Sequence, residues 1–356
     1  MTVVQAPRRR YAVLADGWFA NRHAKTAHGL IRYGRDEVIC VIDSTLAGRR
    51  VSDVMSNLPE ARGDTPIVAC LREALELRPT SILVGLAPPG GRLPEEWMRV
   101  LHEAAENGLE IVSGLHQRLA SELPGARVWD VREPPEGIPI FSGEGFGVEP
   151  VVALAVGTSS AIGKMTAVLE IQRAALEKGT RAEFVPTGQT GAVIAGWGIC
   201  IDAVVSDFAA GASERLVLEA AGREPAPNLI LVEGQGSIAH PAYSGVTTAL
   251  LHGSCPDCLI LCADARGPRD ELFPGVPFPE SKNVARLYEE LAALVKPAPV
   301  VSVSVNTSAL GDAEARALVD CISQETGLPT SDPVRGDAGP ILDALLGAPK
   351  TRPRGV

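Results

Sequence analysis

The stretch VVALAVGTSSAIGKMTAVLEI, Val151–Ile171, decides the fold. It opens as an apolar, strand-like run, passes through a glycine loop and continues as a helix-like segment from Lys164. A phosphate-binding loop usually reads G-x-x-x-x-G-K-[ST]. Here Gly157 and Gly163 enclose five residues, Thr158 to Ile162, and Met165 separates Lys164 from the hydroxyl of Thr166. The context still argues for phosphate. A strand feeds the loop, the loop opens a helix, and a lysine stands at the helix start. N–H groups at a helix N-terminus and the helix dipole attract anions, and Lys164 adds a point charge for the outer phosphates. Gly157, Thr158, Ser159, Ser160, Gly163, Lys164, Met165 and Thr166 are therefore the expected cofactor-binding set. Thr166 would also serve a Mg²⁺ ion if one is used.

Outward from this stretch, strand-like and helix-like runs alternate in both directions. Upstream, RYAVLADG, EVICVIDS, SILVGLAPPGG and LEIVSG read as strands. HAKTAHGLIRYG, ACLREALELRP and EEWMRVLHEAAENG read as helices between them. Downstream, AEFVPTGQTG, NLILVEGQGS, CLILCADA and PVVSVSVNTS each pair an apolar run with a polar C-terminal end. This alternation implies α/β architecture with parallel sheets. The Pro- and Gly-rich stretch WDVREPPEGIPIFSGEGFGVEP places a boundary near Val148, giving domains 1–148 and 149–350. No G-x-G-x-x-G follows the first strand, so a nicotinamide cofactor is not assigned.

Ligands in open α/β sheets bind beyond the C-terminal strand ends, so the polar clusters there are the candidate site. Glu233 directly follows NLILV, where a carboxylate organises Mg²⁺ or acts as a base. His240 follows in the glycine-rich segment EGQGSIAH, either as a site residue or as a structural one. Thr187, Gln189 and Thr190 in PTGQTG suit a substrate carboxylate or phosphate. Asn306, past the strand PVVSVSV, either reads a base or makes a turn. Asp202 and Asp207 are caps or ligand contacts. In the first domain Arg22, His23, Lys25 and Arg32 form either a carboxylate site or a solvated helix face, and Asp43 ends a strand.

Whole-chain properties narrow the partners. The formal net charge of −10 disfavours nucleic acid and anionic membrane. No apolar run reaches the roughly 18 residues of a membrane span, and the N-terminus lacks a signal-peptide pattern, so a cytoplasmic location is expected. A homo-oligomer is left open. The seven cysteines, Cys40, Cys70, Cys200, Cys255, Cys258, Cys262 and Cys321, suit reduced buried thiols better than disulfides. Cys255 and Cys258, with His252 nearby, leave a metal or redox site as the alternative.

The loop GTSSAIGKMT together with VEGQG resembles dethiobiotin synthetase, whose loop also has five residues between its glycines. A wider resemblance runs through AKTAHGLIRYG, VIDSTLAGR, IVSGLHQRLA, PTGQTG, IDAVVSDFAAGA, VEGQGSIAHPAYSG and VNTSAL. These motifs, in this order, are similar to the D-glutamate N-acetyltransferase family, formerly a domain of unknown function. That resemblance implies a Rossmann-like N-terminal domain followed by a P-loop NTPase-like domain. It also implies transfer of an acetyl group from acetyl-CoA to the amine of D-glutamate or a similar acidic amino acid, within D-amino acid metabolism. In that family the loop often carries Asp and Cys where this chain has Ser159 and Ser160. On this reading Glu233, His240 and Lys164 are catalytic, Asn306 joins the cofactor set, and Lys25, Arg32, Thr187, Gln189 and Thr190 bind substrate. The dethiobiotin synthetase likeness implies the alternative, an ATP- and Mg²⁺-dependent ligase or kinase that activates a carboxylate, with Thr166 and Glu233 serving the metal.

Overall fold

The computed structural model describes residues 8–86, 92–265, 275 and 279–353. The chain divides into two compact units. The first runs to Pro134 and adds Gly188–Ala203; the second holds Pro135–Thr187 and the chain from Val204 onward.

Among the described residues the first unit carries one parallel sheet, built from β1 (Arg10–Leu14), β2 (Glu37–Ile42), β3 (Ile67–Val68), β4 (Ser81–Val84), β5 (Glu110–Ser113) and β6 (Val128–Asp130). Their order is β3-β2-β1-β4-β5-β6, with the reversal between β1 and β4. This is the doubly wound Rossmann order, whose crevice lies at that reversal. Side chains alternate across the sheet, so each strand feeds two cores. Ala12, Leu14, Ile82 and Val84 pack on one face with Trp97 and Leu101. Tyr11, Val13 and Leu83 pack on the other with Ala27, Leu30 and Ile31 of the helix Lys25–Tyr33. Ala192 and Val193 join that second core, which is why the helix Gln189–Ala195 belongs to the first unit although it follows a strand of the second.

The second unit's sheet contains β7 (Val151–Gly157), β8 (Ala182–Val185), β9 (Leu229–Val232), β10 (Cys258–Asp264), β11 (Val300–Asn306) and β12 (Thr330–Ser331). Its order is β12-β11-β10-β7-β9-β8, parallel throughout. The strand β7 that leads into the glycine loop is central, and the order reverses beside it. The expected α/β class with parallel sheets is observed in both units.

The stretch expected to be a linker is used differently. Its first two residues, Trp129 and Asp130, belong to β6, which pairs with β5. Its later part is held on the helix Ser206–Ala221 of the second unit. The Glu214 carboxylate accepts hydrogen bonds from the Ser142 N–H (2.7 Å), the Ser142 hydroxyl (3.0 Å) and the Gly145 N–H (3.0 Å). A Cβ at Gly211 would lie 2.0 Å from the Pro139 carbonyl oxygen, so only glycine lets the chain lie this close. The units therefore divide after Pro134 rather than near Val148. Further on, buried Asp257 ties the second unit's strand base to its C-terminal segment. It accepts from Val152 N–H (2.9 Å), Lys296 Nζ (2.8 Å), Lys350 Nζ (2.7 Å) and Thr351 N–H (3.1 Å).

Candidate functional site

The glycine loop joins the end of β7 to the helix Lys164–Glu177. Ala161 (φ 52°) and Gly163 (φ 102°) are both left-handed, and these two turns accommodate the long loop. Its first residue is anchored by the Thr158 N–H donating to the Cys262 carbonyl at 3.0 Å. Lys164 is 5% exposed and its Nζ donates to the Ser159 carbonyl at 2.7 Å. The ammonium thus curls over the loop. A Cβ at Gly157 would lie 3.1 Å from that Nζ and 2.8 Å from the Ile162 side chain. The glycine keeps open the cradle under the lysine, which fits a phosphate group.

Two neighbouring strand ends complete this side of the sheet. Beyond β9, Gly234 lies so near β7 that a Cβ there would be 1.7 Å from the Ala155 carbonyl oxygen and 3.1 Å from Lys164 Cδ. Glu233 therefore stands beside the lysine chain. It is 4% exposed, and its Oε2 accepts the Thr187 N–H at 2.9 Å. The Thr187 hydroxyl donates to the Glu233 carbonyl at 2.7 Å, and Gln235 Nε2 donates to that hydroxyl at 3.2 Å. The ends of β8 and β9 are thereby locked together around one carboxylate. Within β10, burial pushes the Cys262 thiol up to about 12 while the nearby Lys164 charge pulls it down.

Asn306 at the end of β11 faces the loop itself. Its Nδ2 donates to the Ile162 carbonyl at 3.2 Å and its Oδ1 accepts the Ser308 N–H at 3.1 Å. It braces the loop from the side. His240 is 1% exposed and stacks on Tyr243, with ring centroids 4.5 Å apart. Its Nδ1 accepts the Ala242 N–H at 3.1 Å. In the neutral ring this puts the proton on Nε2.

Tyr288, from the helix Ser281–Ala292, was not anticipated. It is wholly buried, and its hydroxyl donates to the Gly157 carbonyl at 2.9 Å and accepts the Ile238 N–H at 3.0 Å. It couples the start of the phosphate loop to the segment after Glu233. A tyrosine in an amphipathic helix gives no sequence signal for this.

The remaining expected residues lie in the first unit. The Thr190 and Thr26 hydroxyls are 3.1 Å apart. Gln189 accepts from Arg132 Nη1 at 3.1 Å, and Lys25 is exposed at the start of its helix. Arg32 is held within the first unit. Its two terminal nitrogens donate to the Ser56 and Asn57 carbonyls, both at 3.0 Å, so it caps a loop. Asp43 is structural, accepting from the Phe19 and Thr45 N–H groups. Asp202 pairs with Arg132, and Asp207 is exposed in the first turn of its helix, where a negative charge suits the dipole. Arg132 was missed because it lay in the presumed linker, and no local pattern marks it. Cys255 and Cys258 are buried, and burial pushes both thiols up to about 12. Among the described residues no helix is long and apolar enough to cross a membrane.

Comparison with known proteins agrees with this anatomy. Residues 139–342 match a family model described as a domain of unknown function, DUF1611, P-loop domain. Residues 44–134 match the model of its N-terminal Rossmann-like domain. A protein of Tritonibacter scottomollicae named D-glutamate N-acetyltransferase is 37% identical over 77% of this chain and 84% of its own length. One of Pseudoalteromonas sp. with the same name is 34% identical over 77% and 83%. The crystal structure of a DUF1611 family protein from Anabaena variabilis superposes with a TM-score of 0.87 at 36% identity, covering 95% of this chain and 99% of that one. A Rossmann-like unit, a P-loop unit and relatives matching most of the chain lead to one conclusion: the chain belongs to the DUF1611 family.

Proposed function

We propose that this protein transfers the acetyl group of acetyl-CoA to the amine of D-glutamate or a closely similar acidic amino acid. The reading draws on the names of the two relatives and on one feature of the second unit: a buried carboxylate, Glu233, fixed beside the phosphate-loop lysine. The loop and Lys164 suit the pyrophosphate of a CoA thioester. Glu233, oriented by the Thr187 N–H, takes a proton from the substrate ammonium. The freed amine attacks the thioester carbonyl, forming the C–N bond. Collapse of the tetrahedral intermediate breaks the C–S bond, and the thiol leaves with a proton, giving an N-acetyl amino acid and free CoA.

A phosphate loop also suits ATP, and Glu233 beside Lys164 equally suits Mg²⁺. The second reading is therefore an ATP-dependent ligase that activates a carboxylate by phosphoryl transfer. Thermal unfolding separates the two. A ligand bound to the native state at 100 times its Kd stabilises it by about 2.7 kcal/mol. Acetyl-CoA is expected to raise the melting temperature without metal. A rise with ATP–Mg²⁺ and none with acetyl-CoA overturns the acetyl-donor assignment.

A further inference from the structure

The Tyr288 hydroxyl serves two segments that carry the chemistry of the second unit, and all three lie within that unit. Its ring is wholly buried. A phenylalanine would fill nearly the same volume, and a buried O–H costs free energy unless it is bonded. A phenol has one donor and two lone pairs. Here the O–H donates to the Gly157 carbonyl at 2.9 Å and the oxygen accepts the Ile238 N–H at 3.0 Å. The Gly157 N–H lies 3.4 Å away, with the Ser237 side chain also bonded to the phenol. Burial holds the phenol above its ordinary value of 10.0, so it remains a donor at neutral pH. Each partner is part of a larger piece. Gly157 is where the Ile162 side chain and the Lys164 ammonium close over the loop. Ile238 sits in a closed run. The Thr247 hydroxyl donates to the Gln235 carbonyl at 2.7 Å, and the Ser237 carbonyl accepts the His240 N–H at 3.0 Å. Left-handed Gly236 (φ 62°) lies so close to the Tyr243 carbonyl oxygen that a Cβ would be 2.2 Å from it. Gln235 in turn reaches the Thr187 hydroxyl that bonds the Glu233 carbonyl.

We infer that Tyr288 is a positioning residue for the reaction: its hydroxyl holds the phosphate loop and the segment from Glu233 to His240 in one register, so that both the grip on the phosphate chain and the rate of the chemistry depend on it. The inference rests on the acetyl-transfer reading and adds to it a residue that lies beneath the site. Removing the oxygen deprives the Gly157 carbonyl and the Ile238 N–H of a shared partner in a buried place, which costs more than the bond itself was worth. The two segments then settle separately. The start of the loop sets where the Lys164 ammonium lies, so donor affinity falls. The segment after β9 sets where Glu233 points, so turnover falls even at saturating donor, because a small displacement of a positioned base is costly.

The test compares wild type, Tyr288→Phe, Lys164→Ala and the double variant, with the Kd for acetyl-CoA from calorimetry and kcat from thiol release with D-glutamate. Tyr288→Phe is expected to raise the Kd roughly 3- to 10-fold and to lower kcat about 10- to 100-fold. The affinity effect runs through the lysine, so Tyr288→Phe raises the Kd by a smaller factor in the Lys164→Ala background than in wild type. A purely structural hydroxyl predicts a lower melting temperature with Kd and kcat unchanged, and that result overturns the inference. An equal factor in both backgrounds overturns it too. Should Tyr288→Phe fail to fold, hydrogen exchange on wild type decides alone: inorganic pyrophosphate is expected to slow exchange of the Ile238 amide, and an unchanged rate overturns the inference. Should wild type release no thiol, the acetyl-transfer reading is what has failed, and the affinity comparison decides for Tyr288, with ATP–Mg²⁺ as the probe where acetyl-CoA does not bind. Binding of neither ligand by wild type ends the phosphate-loop reading and this inference with it.

Discussion

Lys164 and Glu233 concentrate the chemistry of the second unit, and each makes a distinct demand. Lys164→Ala removes the ammonium that lies over the loop but leaves the strand core intact. Losing one charge-assisted contact costs roughly 1.5–3 kcal/mol of acetyl-CoA binding, read by calorimetry, with the melting temperature of the free protein little changed. Unaltered affinity would falsify the phosphate role. Glu233→Gln keeps shape and can still accept the Thr187 N–H, so donor affinity should stay within a few-fold while turnover falls by about 100-fold or more. A variant turning over at the wild-type rate removes Glu233 from catalysis. Both residues were legible from sequence, because a strand–loop–lysine–helix sequence and an acid at a strand end are local patterns. Arg132, Tyr288 and the carbonyl contacts of Arg32 were not. Their roles depend on partners 57, 131 and 25 residues away, and no local pattern carries that information.

Single elements show why the boundary could not be read from composition. Pro- and Gly-rich sequence does suggest a linker, yet Glu214 and Gly211 on one helix give this stretch a packed seat. The two-residue strands β3 and β12 are too short for any periodicity to declare. The longer strands and the helices Lys25–Tyr33, Glu95–Glu106 and Lys164–Glu177 were legible because their apolar spacing spans several turns or pleats. Asp257 supplies the prediction at this scale. Burial disfavours its charge, but hydrogen bonds from Lys296, Lys350 and the Val152 N–H prevail and hold the carboxyl below its ordinary value of 3.8. The unfolded chain thus takes up this proton first as pH falls. The stabilisation is complete well above pH 3.8, and it is lost as pH drops through that value toward the folded-state one. Asp257→Asn strands the buried Lys296 ammonium and should cost about 3–5 kcal/mol at neutral pH. Denaturant titrations of both proteins at pH 7 and near pH 3 check this; the gap between them must narrow at the lower pH, and a constant gap contradicts the assignment.

For the molecule as a whole, the order of motifs along the chain was legible, and with it two parallel-sheet units of Rossmann-like and P-loop type. The exchange of Gly188–Ala203 into the first unit was not, since it follows from apolar contacts of Ala192 and Val193 that only the folded core reveals. That exchange separates the expected substrate residues by unit: Thr187 meets Glu233, whereas Gln189 meets Arg132 and Thr190 meets Thr26. Amide formation by acetyl transfer without nucleotide is read in a single assay. Purified protein is mixed with acetyl-CoA and D-glutamate, free thiol is followed against time, and the product is weighed by mass spectrometry. The account predicts thiol release matched one-to-one by N-acetyl-D-glutamate, with no requirement for ATP. Absence of thiol release across acidic D- and L-amino acids, together with amine-dependent formation of ADP from ATP–Mg²⁺, would contradict it.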